Sequence, residues 1–190
     1  MNIIYAKSVL YAYSVIPNVI SQIDDLVLSR ALASMYDVSP ADEQCERIIG
    51  LTNQKKTLIY LYQVVEEILT KFTENELKHL DYMYFKKRPN TDYEDFDYLS
   101  RSYFRFQTVI AEKFADRLER RGITDDWVKD NLLCINFFKE LIKRVKEKEV
   151  LSNKNKPQKK GGSQGVITPT TTKIIDMCAN VTHSQNKAFA

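Results

Sequence analysis

The stretch LSRSYFRFQTVIAEKFADRLERRG, residues 99–122, combines an apolar pattern of helical period with many basic residues. One set of apolar residues recurs every three to four positions, as the buried face of an amphipathic helix does. Its members are Tyr103, Phe106, Ile110, Phe114 and Leu118. Ser100 is a favoured helix N-cap, and Gly122 stands where a glycine commonly ends a helix. The stretch therefore predicts an amphipathic helix over residues 100–121.

The opposite face of this predicted helix carries groups suited to nucleic acid. Arg101, Arg105, Thr108 and Glu112 follow one another at spacings of four, three and four residues, so they share one face. Arginine has the geometry to donate two hydrogen bonds to guanine O6 and N7. Ser100, Ser102 and the unpaired backbone N–H groups of the first turn are suited to phosphate oxygens. The face is a candidate for contact with a duplex.

The segment upstream predicts a second helix and a turn. Thr73, followed three residues later by Glu76, is the capping-box pattern that opens a helix. We expect this helix over 73–88, and the short acidic segment at about 90–97 is one helix or an irregular loop. Together with 100–121, these segments have the layout of a helix-turn-helix, whose last helix lies in the DNA major groove.

The rest of the chain predicts an all-α fold, a helical bundle in which the helix-turn-helix-like unit is embedded. The 190 residues include only five glycines and five prolines, and apolar residues mostly recur at helical spacing. One helix is predicted from Ile16 to the segment SMYDVSP. The next is capped by Ser39, has Pro40 in its first turn and tolerates Gly50. A single last helix is predicted from Thr124 through Glu149.

Three regions follow from the pattern. Residues 1–72 are predicted to be an N-terminal helical scaffold or dimer interface, and residues 73–151 the helix-turn-helix-like unit with a C-terminal packing helix. Residues 152–190 are polar, basic and rich in glycine, so we expect a disordered tail. The net charge of +3 is small, but six bases against three acids in 100–121, and nine against three in 137–160, concentrate positive charge towards the C-terminal half.

Several classes of protein are disfavoured. The three cysteines form no CxxC pair, which argues against a disulfide framework or a zinc site. No GxGxxG, Walker, GxSxG or HExxH pattern is present, so we predict neither enzymatic activity nor a cofactor, and His79 lacks a neighbour at metal-ligand spacing. The apolar N-terminal stretch, broken by Pro17, is shorter than the ~20 residues of a membrane span. We expect a cytoplasmic protein without metal or membrane.

Two parts of the chain resemble a known family. The segment FTENELKHLDYMYF, residues 72–85, is similar to the first helix of the promoter-reading C-terminal domain of bacterial sigma factors and related phage late-gene regulators. The segment LSRSYFRFQTVIAEKFADRL, residues 99–118, resembles the recognition helix of that domain. Between them, Glu94, Asp97 and Tyr98 depart from the pattern. The whole chain also resembles a family of small proteins of clostridia and their mobile elements, which implies no particular activity.

Residues and resemblance together favour sequence-specific binding of double-stranded DNA by a sigma-like transcription regulator. Since residues 1–72 do not resemble the polymerase-binding part of a sigma factor, full sigma activity is not expected, although RNA polymerase is a candidate second partner. Arg101, Ser102 and Arg105 are expected to face bases. The side chains expected to hold phosphates are those of Lys86, Lys87, Arg88 and Lys113.

The alternative is a helical protein-interaction module, such as a polymerase adaptor or a phage-assembly factor, whose basic face only keeps the protein soluble. Ordinary solvation also explains six bases in an amphipathic helix that carries three acids. The segment 90–98 discriminates between the two functions, because an irregular segment covering Arg101 and Arg105 would keep them out of a groove.

Overall fold

A computed structural model describes residues 1–33, 40–85 and 101–154 of the chain, with the exception of the side chains of residues 101–104 and 152–154. These described residues form seven α-helices and no strand, which confirms the predicted all-α fold. The helices are α1 (Ile3–Tyr13), α2 (Ile16–Ala33), α3 (Ala41–Leu69), α4 (Glu74–Met83), α5 (Arg101–Arg120), α6 (Asp125–Asn131) and α7 (Asn136–Lys154). The predicted tail beyond α7 lies outside the described residues.

Helix α1 is the centre of the bundle. It packs against α2, α5 and α7, and seven of its 11 residues are buried, including Ala6, Leu10 and Ala12. A helix that is apolar nearly all round is stable in water only when other helices cover it. Within the described part of the chain no single helix has the length and apolar character to cross a bilayer, although α1 and α2 pass such a test as a pair bent by 70°.

Helices α2 and α3 pair along their length as a helical hairpin. The N-terminal half of α2 and the C-terminal half of α3 reach the core, through Ile23 on one side and Leu58 on the other. Gly50 lies inside α3, as predicted, and Pro40 is the N-cap of α3 rather than a residue of its first turn. Ser39, the predicted cap, lies outside the described residues.

The predicted single C-terminal helix is wrong, because the chain breaks between α6 and α7. Thr124 does cap α6, since its hydroxyl accepts a hydrogen bond from the Trp127 N–H at 3.2 Å. The buried residues before the break are Val128, Leu132 and Ile135, and those after it are Phe137, Phe138, Leu141, Ile142 and Val145. In one continuous helix, at about 100° per residue, the two sets would face directions about a third of a turn apart. The break lets both sets reach the same core.

A hydrophobic core joins residues from both sides of the predicted boundary at residue 72. Leu10 and Leu61 from the N-terminal region belong to the same cluster as Phe114 and Phe138 from the C-terminal region. The assignment of a scaffold role to 1–72 and a reading role to 73–151 stays a prediction about function. Physically, the helix that carries Arg105 rests on the N-terminal helices.

Candidate nucleic-acid interface

Helix α5 has the buried face and the C-terminal end that the sequence predicts. Ile110, Phe114 and Leu118 are buried, and Phe106 is half-buried. Gly122 has a φ of 82°, the left-handed conformation that glycine adopts without strain. The Ile123 N–H donates to the Leu118 carbonyl at 3.0 Å, and the Gly122 N–H donates to the Glu119 carbonyl at 3.0 Å. These two bonds are the Schellman motif, so the sequence ends the helix where predicted.

Glu76 links α4 to α5 through two different roles. One carboxylate oxygen accepts from the Thr73 N–H at 2.9 Å and completes the predicted capping box. The other oxygen lies 2.6 Å from the Lys113 Nζ on α5. Burial by itself would raise the pKa of the Glu76 carboxyl, but the bonds from Lys113 and Thr73 outweigh it and lower the pKa. The Glu76 carboxylate therefore completes the capping box of α4 and also anchors α5.

Lys113 has a structural role that the sequence did not predict, and the phosphate contact predicted for it stays a prediction. Besides its ion pair with Glu76, its Nζ lies 5.0 Å from the centre of the Phe72 ring. The side chain is 35% exposed. A lysine held by a carboxylate and an aromatic face would lose both contacts on reaching for a phosphate. This geometry does not favour the phosphate role.

A second set of contacts holds the N-terminal half of α5. The ring of His79 on α4 meets the ring of Phe106 edge to face, with centroids 4.8 Å apart. The Gln107 Nε2 lies 2.9 Å from the Met83 Sδ. His79 is buried, and burial lowers its pKa below the ordinary value of 6.5. The two helices are thus joined at both ends of α4.

The lowered pKa of His79 predicts a loss of stability in acid. As pH falls through 6.5, the unfolded chain takes up a proton at this position, but the folded chain keeps His79 neutral. The free energy of unfolding should therefore be fully retained above about pH 7 and decrease below it. Urea unfolding at a series of pH values measures the slope.

His79→Gln should remove that component of the slope, whereas His183→Gln, at the other histidine of the chain, should leave it unchanged. An unaltered pH slope in His79→Gln would contradict the assignment.

The exposed face of α5 changes sign along the helix. Arg105 and Thr108 are exposed in its N-terminal half, whereas Glu112 and Asp116 are exposed beyond them. Further on, the Glu119 carboxylate pairs with the N-terminal amine of Met1 at 2.8 Å. The N-terminal end of a helix also carries a partial positive charge from its backbone. On this face of α5 the exposed base Arg105 therefore lies in the first two turns, and the exposed acids follow it.

The other predicted site residues are only partly placed. Arg101 and Ser102 lie in the first turn of α5, but their side chains are outside the described residues. Ser100, the basic group Lys86, Lys87 and Arg88, and the supporting segment 90–97 also lie outside them. The helix predicted over 73–88 ends earlier, at Met83. The ring of the next residue, Tyr84, lies against that of Tyr11, with centroids 4.7 Å apart. The structure therefore joins Arg105 and Thr108 on one face.

The described part of the chain contains no cluster of histidine, cysteine and carboxylate side chains arranged to hold a metal ion. Cys45 and Cys134 are exposed and not bonded to each other. The bridge between Glu76 and Lys113 was missed by the sequence reasoning, because a capping box predicts a helix start and says nothing about a distant lysine. The exposed apolar residues on the α2–α3 hairpin were missed too.

Comparison of the chain with protein-family models, with curated proteins and with solved structures found no match. The resemblance to the sigma-factor domain stays a prediction from residue pattern. What can be argued about function therefore depends on the contacts and charges of α4 and α5.

Proposed function

We propose that the protein is a double-stranded DNA-binding regulator of transcription that reads sequence with the first two turns of α5. The position of Arg105 carries the proposal. Its side chain is exposed, and none of the hydrogen bonds and ion pairs among the described residues involves it. Thr108 is exposed one turn later. An arginine in this position is able to donate two hydrogen bonds to a guanine edge in the major groove.

The support of α5 suits a reading helix. A side chain that selects a base must be held by a rigid element, because small displacements lose the hydrogen-bond geometry. Helix α5 is held by its buried face on α1 and α3 and by α4 through Glu76 and His79. These contacts lie on faces of α5 other than that of Arg105, so a duplex is able to approach without displacing them.

The charge distribution favours an approach by the helix end. Glu112 and Asp116 would repel phosphates if the whole length of α5 lay along a groove. In helix-turn-helix proteins the N-terminal residues of the recognition helix contact base edges. Entry by the first two turns brings Arg105 to the bases and leaves both acids near the rim. The segment 86–88 is proposed to supply phosphate contacts beside them.

The test uses the full chain and a duplex enriched by that chain from a random library. Arg105→Ala should weaken binding of the enriched duplex about tenfold, the loss expected for one bidentate contact to a base. Binding of unrelated duplexes should change much less, because they lack the selected base. Fluorescence anisotropy at several salt concentrations measures both affinities and the salt slope.

Arg120→Ala is the matched control, since Arg120 is exposed at the other end of α5. This variant should keep the preference for the enriched duplex. Failure of the chain to enrich any duplex, or equal binding by Arg105→Ala, would contradict the proposed function.

The alternative, a protein-interaction module, is favoured by one observation on the same helix. Val109 is 55% exposed and lies between Thr108 and the acids Glu112 and Asp116. An exposed apolar residue flanked by carboxylates fits a protein surface better than a phosphate backbone. Recovery of a protein partner after nuclease treatment, lost in Val109→Asp and kept in Arg105→Ala, would support the module over DNA binding.

A further inference from the structure

The outer part of the α2–α3 hairpin extends beyond the core. On α2 no residue after Ile23 is buried, and on α3 no residue before Leu58 is buried, within the described part of each helix. Leu28, Leu32 and Ile49 are nevertheless large apolar residues with exposed fractions of 61%, 60% and 57%. Two helices alone bury only the faces they turn to each other. Exposed apolar residues grouped on one projecting element indicate a surface for a partner.

The outward face of α3 carries opposite charges at equal distances on the two sides of Ile49, so it is complementary to a second copy of itself. Asp42, Glu46, Ile49, Asn53 and Lys56 are all exposed and follow one another at intervals of four, three, four and three residues. Residues at these intervals share one face of a helix, so Ile49 lies at the middle of a face that is otherwise polar. Asp42 lies seven residues before Ile49, and Lys56 lies seven residues after it. If two copies of α3 run antiparallel with Ile49 opposite Ile49, each Asp42 faces a Lys56.

The register of α2 against α3 places two leucines around the same point. The Lys55 Nζ lies 2.5 Å from the Asp24 carboxylate, which aligns these positions of the two antiparallel helices. Ile49 is six residues before Lys55, and Arg30 is six residues after Asp24, so Ile49 and Arg30 lie at the same level. Leu28 lies two residues before Arg30 in α2, and Leu32 lies two residues after it. A two-fold axis there would bring Leu28 to the level of Leu32 of the copy.

We propose that the hairpin docks onto a second copy of this chain, with a two-fold axis at the level of Ile49, to form an antiparallel four-helix interface. A two-fold interface requires a surface that is complementary to itself. The hairpin has two such features centred on the same level. On α3, Asp42 of each copy would face Lys56 of the other, and on α2, Leu28 would lie level with Leu32 of the other copy. Ile49, Leu28 and Leu32 supply the apolar area, and the Asp42–Lys56 pairs set the antiparallel orientation.

Sedimentation velocity on the full chain tests the proposal over a range of concentrations. The chain should form a dimer, and Ile49→Asp should raise the dissociation constant at least about tenfold, because two aspartates would replace the central apolar contact. Val150→Asp is the matched control, since Val150 is 53% exposed on α7 and far from the hairpin in the chain. Val150→Asp should sediment as the unmodified chain does. A chain that is monomeric at every concentration would overturn the proposal.

Charge reversal tests the orientation. Asp42→Lys and Lys56→Asp should each weaken the dimer, and the chain with both changes should recover it. If both single variants dimerise as the unmodified chain does, the antiparallel arrangement is wrong.

A cross-link provides a third measurement. In a chain with Cys45, Cys134 and Cys178 replaced by serine, Ile49→Cys should form an intermolecular disulfide under mild oxidation, whereas Val150→Cys should not. Equal cross-linking of both variants would overturn the proposed axis. None of these measurements uses DNA, so their outcome is independent of the proposed function.

Discussion

Phe114→Ala should lower the free energy of unfolding by about 3–5 kcal/mol, the loss expected when a fully buried phenylalanine is truncated. The Phe114 side chain is completely buried beneath α5. Its ring centroid lies 6.5 Å from that of Phe72, and the guanidinium of Arg117 lies 4.5 Å from the centre of the same Phe72 ring. The cavity would therefore remove support from both α5 and the end of the hairpin. Urea unfolding followed by circular dichroism measures the change.

Two controls separate cavity formation from a general effect of mutating α5. Val109→Ala, on the exposed side of α5, should change stability by no more than about 0.5 kcal/mol. Phe114→Leu should cost less than Phe114→Ala because it leaves a smaller cavity. If Phe114→Ala costs no more than Val109→Ala, the packing of α5 described above is wrong.

Glu76→Ala should lower the free energy of unfolding by about 2 kcal/mol, since one change removes half of the capping box and the partner of Lys113. Glu76 is only 13% exposed, but Lys113 is 35% exposed and keeps part of its hydration, which limits the cost. Glu74→Ala is the matched control on the same helix. Glu74 is 82% exposed and pairs with Lys78 one turn away, so its loss should cost at most about 0.5 kcal/mol.

A double-mutant cycle isolates the contact between α4 and α5. Lys113→Met keeps the aliphatic stem of Lys113 over Phe72 but removes the charge. The cost of Glu76→Ala should be smaller in that background, with a coupling of about 1 kcal/mol between the two sites. Additive costs would show that Glu76 stabilises α4 alone. They would also weaken the view of α4 as the support of a reading helix.

The two proposals have a joint consequence. A dimer with two-fold symmetry presents two copies of α5 related by the same axis, and two-fold DNA-binding proteins read sites with two-fold symmetry. Duplexes enriched by the intact chain should then contain inverted repeats. Enrichment by Ile49→Asp should yield single half-sites, because each monomer would read alone. The comparison of the two enriched sets tests whether the hairpin and α5 act together.

Local signals in the sequence predicted much of the fold correctly. The capping box at Thr73 and Glu76, the N-cap at Thr124 and the left-handed Gly122 all depend on residues within one or two turns. The inward side of α5 was predicted for a similar reason, because spacing along a helix determines which residues share a face. For the candidate site, the same spacing groups Arg105 with Thr108, both of which are exposed on α5, and their contact with DNA stays a prediction.

Contacts between distant parts of the chain determined the rest. The break before Asn136 lets α6 and α7 face the same core. That core is formed by residues of other helices, so the sequence of α6 and α7 alone does not indicate the break. Lys113 was assigned to phosphate because it is a base on a basic helix, and its partner Glu76 is 37 residues away. Likewise, the 57% exposure of Ile49 is known only from the packing of the hairpin, because an apolar residue on a helix is buried or exposed according to which elements cover it. Helix starts, ends and faces are local properties of the chain, whereas the pairing of charges and the covering of apolar faces depend on which elements meet in space.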